Sequence, residues 1–190
     1  IPYFAQEAII PMRSAPSESA EMVSQLVFGE ICFCLTQQDN WWKICNTTDA
    51  YEGWVNPRML LEISQEEYQA ISAWRFVLHG QIYLHDQMEM LLPVGARIPV
   101  IGTEEERLTL NGKSWTWDAN LVLTDVQTSD KRVEMARYFA NIPYVWGGRS
   151  GFGIDCSGFS QQLFALCGIS IPRDSSKQGL EGLAVSFGQH

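Results

Sequence analysis

The 190-residue chain is 46% hydrophobic, 18% charged and 12% aromatic, the profile of an ordinary globular protein with room for one large or two to three small domains. Its net charge of −9 excludes the basic surface that a nucleic-acid-binding protein needs and disfavours adhesion to anionic lipid headgroups. No stretch approaches the roughly 20 consecutive apolar residues of a membrane-spanning helix. The opening at Ile1 rather than Met is compatible with a removed leader, although no basic-then-apolar remnant identifies one.

Residues from about Ile9 to Leu61 read as short strands and turns. Pro11-Met12-Arg13-Ser14-Ala15-Pro16 has the composition of a proline-bracketed loop. Gly29-Glu30 opens a β-rich run through Leu35, Gln37-Gln38-Asp39-Asn40 reads as a loop, Trp41–Cys45 as a strand, and Gly53-Trp54-Val55 closes the segment. Several strands in so short a span predict a small barrel. A Gly-Glu turn before one strand and a terminal Gly-Trp-Val run resemble bacterial SH3-like (SH3b) modules. The five cysteines, Cys32, Cys34, Cys45, Cys156 and Cys167, are odd in number and contain no CxxC pair, so neither a complete disulfide framework nor a Cys-rich zinc site is expected. Cys32 and Cys34 fall on one face of a strand and, with Cys45, are read as small buried hydrophobes.

Ser64 followed by Glu67 is a capping-box pattern that predicts a connector helix through about Ser72. A second β-rich segment runs from Ala73 to about Thr124. Its clearest signal is Asn111-Gly112 between alternating runs, the pair expected at a type I′ hairpin turn. This segment looks like a second, more divergent SH3-like module. From Ser129 the texture becomes α+β. Lys131–Ala140 predicts an amphipathic helix with Val133, Ala136 and Ala140 on its apolar stripe.

The stretch that carries chemistry is Pro143-Tyr144-Val145-Trp146-Gly147-Gly148 followed by Gly151-Phe152-Gly153-Ile154-Asp155-Cys156-Ser157-Gly158-Phe159. Apolar residues at 159, 163, 166 and 167, with Gly168 in the C-terminal cap position, predict a helix from about Ser157 to Cys167. Cys156 then stands at the helix start, where unpaired amides and the positive dipole end favour a thiolate and can serve as an oxyanion hole. A structural cysteine is the alternative for Cys156. Asp155 is a natural N-cap acceptor whose charge opposes a thiolate unless it is engaged elsewhere, and Cys167 belongs to the core stripe.

These blocks, together with Ile171-Pro172-Arg173-Asp174-Ser175-Ser176-Lys177-Gln178, resemble the nucleophile region of NlpC/P60 cysteine peptidases over residues 129–190. The resemblance implies two SH3-like all-β barrels (residues 1–63 and 73–127, joined by a connector at 64–72) ahead of an α+β papain-like domain at 128–190. It implies Cys156 as nucleophile, with Trp146, Asp155 and Ser157 lining the groove and Asp174 and Ser175 contacting the N-terminal part of a bound peptide. It further implies that Tyr51 and Glu21 of the first barrel help hold the free amine of a leading L-alanine. The alternatives are a barrel-surface tyrosine, a solvated glutamate, and a helix-capping role for Asp174 over residues 175–182.

The activity implied is hydrolysis of the γ-D-glutamyl–diamino acid bond of peptidoglycan (murein) peptides, with stem peptides or muropeptides as partners. The setting implied is the bacterial cell envelope, with a cytoplasmic recycling role as the alternative. The family's catalytic histidines have no counterpart here. The chain stops 34 residues after Cys156, and its histidines are His79, His85 and the terminal His190. An incomplete peptidase domain is therefore expected, with a non-catalytic murein-peptide binding module as the second reading and acyl transfer as a third. No His/Cys/Asp/Glu cluster has metal-ligand spacing, and Gly147, Gly148 and Gly151 do not form a phosphate loop, so no metal or cofactor is expected.

Overall fold

The computed structural model describes residues 1–85, 88–102, 106–125 and 127–184; His190 lies outside them. The first unit is one antiparallel sheet of β1 (Pro2–Ala5), β2 (Ile9–Arg13), β3 (Met22–Val27), β4 (Ile31–Gln38), β5 (Trp41–Asn46), β6 (Glu52–Val55) and β7 (Leu60–Glu62), in the order β3-β2-β6-β5-β4-β1-β7. It curls around Ala5, Ile10, Met12, Leu26, Cys32, Ile44 and Val55, with Cys34 packed against the same cluster.

Three sequence expectations fail in this unit: Cys34 and Cys45 are half-buried where Cys32 alone is buried, and two expected loops are strand. The predicted loop at Pro11–Pro16 is strand as far as Arg13. At Pro11 only β3 flanks β2, because β6 joins it at Arg13, so a residue without an N–H is tolerated on the unpaired side. The predicted loop at Gln37–Asn40 shrinks to Asp39-Asn40, since Gln38 pairs with Trp41. The end of β4 is exposed on both faces there, so its polar composition hid a paired backbone.

The capping box forms: Ser64 Oγ accepts from the Glu67 amide at 3.1 Å, and Glu67 Oε2 accepts from the Ser64 amide at 2.8 Å. The helix it starts, α1 (Gln65–Ala70), ends before Ser72 because Ile71 already pairs with Ile101. Among the described residues the second unit has two sheets. One is β11 (Arg97–Ile101), β8 (Ile71–His79) and β14 (Val122–Thr124). The other is β10 (Met88–Leu91), β9 (Gln81–Leu84), β13 (Lys113–Thr116) and β12 (Arg107–Leu110). Asn111 and Gly112 turn β12 into β13 with φ of 43° and 75°, the paired positive values that the hairpin demands. The Asn111 amide donates to Glu67 Oε1 at 2.6 Å, tying the hairpin tip to the connector.

The two β units share one core. Phe4, Phe28, Ile31, Leu61 and Ile63 from the first join Val77, Ile82, Leu110 and Trp115 from the second. The rings of Phe4, Phe28 and Trp115 meet at centroid distances of 5.2 to 5.8 Å. Each fully buried side chain of this kind contributes about 1.5–3 kcal/mol.

The third unit holds α2 (Arg132–Ala136), the two-residue strands β15 (Arg149–Ser150) and β16 (Gly153–Ile154), α3 (Cys156–Leu166) and α4 (Ser175–Gln178). Its apolar side packs on Phe76, Leu78 and Val94 of the second unit. The predicted helix at 131–140 continues beyond Ala136 only as a 3-10 turn, and its predicted stripe is misplaced. Val133 is 77% exposed, while Met135 and Phe139, larger and four residues apart, make the buried face.

One buried ionic junction joins all three units. Glu30, fully buried just before β4, accepts from Arg149 Nη1 at 2.9 Å and pairs with Arg97 Nη2 at 3.3 Å. Burial alone would raise the Glu30 pKa; Arg149, Arg97 and the Val27 amide outweigh it and hold the carboxyl below its ordinary value of 4.5. A carboxylate depressed on folding contributes stability above its unfolded pKa and loses it as pH falls through the folded value. Glu30→Gln is therefore expected to lose about 3–5 kcal/mol at pH 7, measured by urea denaturation. Its stability should also fall less steeply than the parent's as pH drops below 4.5.

Candidate functional site

The residues around Cys156 are set by close backbone approaches that only glycine permits. Gly147 has φ of 77°, and a Cβ there would collide with the Met22 carbonyl oxygen of the first unit. A Cβ on Gly158 would collide with the carbonyl oxygen of Gly148. The Trp146-Gly147 turn thus lies directly against β3, and the first turn of α3 lies against the loop before β15. Cys156 is the first residue of α3 and is exposed, whereas Cys167 at its other end is buried. Gly168 follows with φ of 70°, in the left-handed conformation of a helix terminator.

Asp155 is the N-cap, accepting from the Gly158 amide through Oδ1 at 2.7 Å. It does much more than cap. Arg173 grips it with a two-pronged fork, Nη2 to Oδ2 at 2.7 Å and Nη1 to Oδ1 at 3.1 Å. The Gly147 amide donates to Oδ2 at 3.0 Å and Ser157 Oγ to Oδ1 at 3.2 Å. These five contacts fill the lone-pair sites of a carboxylate. Burial would raise the Asp155 pKa, but the Arg173 hydrogen bonds and the Gly158 amide outweigh it and hold the carboxyl below its ordinary 3.8. Arg173 itself is buried and also donates to Ser24 Oγ of β3 at 3.2 Å and to Ser157 Oγ at 2.7 Å.

A cleft of about 350 Å³ opens beside the sulfur, walled by the first and third units together. It gathers all eight residues singled out in the sequence: Cys156, Trp146, Asp155, Ser157, Asp174, Ser175, Tyr51 and Glu21. Glu21, just before β3, accepts from the Trp146 indole Nε1 at 2.7 Å. The Tyr51 phenol is pushed up to about 12, first by burial and then by the charge of Asp174 and a hydrogen bond to it. Asp174 sits at the start of α4 but its side chain makes no cap hydrogen bond, so the capping alternative fails. The helix it precedes ends at Gln178, not Gly182, and Gln178 Nε2 instead donates to the carbonyls of Ser157 and Pro172.

The sequence reading did not pick out Arg173, Val23, Tyr144 or Ser176, which also line the cleft. Arg173 carried a signal, because a buried capping carboxylate needs a cation; Tyr144 and Ser176 stand within the motif blocks, and Val23 carried none. No histidine is among the described lining residues, and His79 and His85 are exposed on the second unit. Among the described residues no group of three or more His, Cys, Asp or Glu side chains is arranged to hold a metal ion.

Two outcomes follow from this geometry. Asp155→Ala removes the cap and leaves Arg173 buried without its partner; a loss of about 3–5 kcal/mol is expected in urea denaturation. In an NMR titration of the tyrosine rings, Tyr51 should deprotonate near 12, and Asp174→Asn should bring it part of the way toward 10.0, burial holding the remainder.

Comparison with known proteins agrees with this layout. Residues 141–189 match the NlpC/P60 family and residues 12–60 match the bacterial dipeptidyl-peptidase SH3 domain. The chain is 26% identical over 178 residues to a γ-D-glutamyl-L-lysine dipeptidyl-peptidase of Bacillus subtilis, covering 85% of this chain and 59% of that protein. It is 46% identical over 57 residues to the Bacillus cereus protein of the same name, covering 30% of this chain and 17% of the relative. The chain thus spans less than two thirds of the curated relatives it matches. In fold it is similar to an NlpC/P60 family protein from Bacillus cereus, with a TM-score of 0.82 at 21% identity over 98% of this chain and 79% of the other. An NlpC/P60 endopeptidase from Photobacterium damselae follows at 0.74 and 18%, over 93% of this chain and 45% of the other. Residues 141–189 are thus similar to the NlpC/P60 family, and residues 12–60 to the bacterial dipeptidyl-peptidase SH3 domain.

Proposed function

We propose that this chain carries the nucleophile and the amine-binding wall of a cysteine endopeptidase that hydrolyses the γ-D-glutamyl–diamino acid bond of peptidoglycan stem peptides. One observation carries the reading: an exposed cysteine at the start of α3 faces a cleft whose far wall is the first β unit. The Cys156 thiolate attacks the γ-carbonyl carbon, amides of the first turn of α3 stabilise the oxyanion, and the C–N bond breaks to release the diamino acid. Water then cleaves the thioester. A base must take the thiol proton and return it to the departing amine; none of the residues assigned here fills that role.

Electrostatics favours a substrate with a free amino terminus. The charged lining residues are Glu21, Asp155, Arg173 and Asp174, and the Asp155–Arg173 pair cancels within itself. Glu21 and Asp174 remain as lining carboxylates, Glu21 bonded to the neutral Trp146 indole and Asp174 meeting the Lys177 ammonium only at 3.7 Å, which suits an ammonium needing anionic partners. The leading residue is read as L-alanine, with Trp146 and Ser175 lining the peptide's path. We read residues 73–127 as a second, divergent SH3-like module and residues 128–190 as the papain-like part. The setting is the bacterial cell envelope, where stem peptides or muropeptides are the partners; the names of the Bacillus relatives support the bond assigned.

The test is cleavage of L-alanyl-γ-D-glutamyl-L-lysine and its diaminopimelate counterpart by the full-length protein, followed by mass spectrometry. The parent should release the alanyl-glutamate dipeptide and Cys156→Ala should not. N-acetylation of the substrate should lower kcat/KM by at least about 100-fold, the scale set by an unfilled polar subsite. Equal turnover by parent and Cys156→Ala would refute the reading, and tight binding with no cleavage by the parent would favour a murein-peptide binding module.

A further inference from the structure

Asp155 presents a conflict. It is the residue immediately before Cys156, and its carboxylate caps the helix that the cysteine begins. The amides at a helix start favour an anionic sulfur, while a bare carboxylate beside it opposes one. A neutral cap such as asparagine or serine would avoid the conflict at similar capping strength.

We propose that Arg173 is a positioning residue that lets a carboxylate cap the nucleophile helix without leaving an uncompensated negative charge beside Cys156. The inference rests on the reading of Cys156 as the reactive thiol. Three features carry it. The guanidinium covers both carboxylate oxygens at 2.7 and 3.1 Å, which a lysine ammonium cannot reproduce. The fork is held in place from both sides, by Ser24 of β3 and by Ser157 of α3, so its charge cannot swing away. Arg173 is 3% exposed, so little solvent screens the pair. The same contact fixes the first unit to the start of α3, because Ser24 and Asp155 share one guanidinium. Without it the cleft would carry an uncompensated carboxylate next to the sulfur, in addition to the lining carboxylates Glu21 and Asp174.

The experiment compares alkylation of Cys156 by neutral iodoacetamide and anionic iodoacetate, with the site read by peptide mass spectrometry to separate it from the other four cysteines. In both reactions the sulfur displaces iodide, so only the reagent's charge differs. Arg173→Gln should lower the iodoacetate-to-iodoacetamide rate ratio by about three- to tenfold, the scale of one extra charge a few ångström away in a largely aqueous cleft. Asp155→Asn should move the ratio the opposite way by a similar factor. Asp155→Asn combined with Arg173→Gln should return it to the parent value. A merely structural role would change both rates together and leave the ratio fixed, and that result overturns the inference. Because Arg173→Gln removes a buried network and can fail to fold, Asp155→Asn is decisive by itself: an unchanged ratio in that variant is equally fatal. A parent Cys156 that neither reagent modifies would instead overturn the reading of Cys156 as the nucleophile, and this inference with it.

Discussion

The arrangement depends on a single carboxylate that water cannot reach. Glu30 is buried where the first β unit, the second β unit and the third unit converge, and its partners Arg97 and Arg149 come one from each of the others. An ion pair in such a place is a poor source of net stability, because desolvating the charges offsets most of their attraction. Its value is directional. A buried carboxylate with two guanidinium partners admits one relative placement of the units, whereas the apolar core they share would tolerate sliding. Arg149 extends the constraint: its amide donates to Gln25 Oε1 and its Nη1 to the Gln25 carbonyl, both at 2.9 Å, and its own carbonyl accepts from Gln162 of α3. The helix that begins with Cys156 is thereby registered against β3.

A second polar cluster, nearer the surface, uses the same logic. Arg173 joins Ser24 of β3 to Asp155 and Ser157 at the start of α3. Farther out, the Trp146 indole reaches Glu21. Together with the Arg149–Gln25 bonds, these contacts bind three positions of one strand and its entry, residues 21, 24 and 25, to the loop and helix around the cysteine. The cleft is in this sense a product of two units, and neither unit alone would form it.

The residues that line the cleft were more legible in the sequence than the packing behind them. Cys156, Asp155 and the helix behind them were readable because capping, apolar periodicity and glycine termination are local rules. Tyr51 and Glu21 were reachable only through family resemblance, since nothing local to either says that a segment so distant in the chain will fold onto it. Elements were misread where tertiary context overrides composition. Thr36–Gln38 are polar yet paired, because the end of β4 is exposed on both faces. Val133 is apolar yet exposed, because the neighbouring Met135 and Phe139 fill the space against Phe76, Leu78 and Val94. Glu30, Arg97 and Arg149 are ordinary surface residues by type. Their burial became visible only when three separate segments were brought together.

The central claim is that one cleft, built jointly by the first and third units, presents Cys156 to a peptide whose amino terminus lies against the first unit. A crystal structure of the Cys156→Ala full-length protein with L-alanyl-γ-D-glutamyl-L-lysine tests it most directly. The account predicts the ammonium within hydrogen-bonding reach of Glu21, Asp174 or the Tyr51 phenol, and the γ-carbonyl carbon over the position of the missing sulfur. A peptide bound in the reverse direction, or lodged away from residue 156, would contradict it.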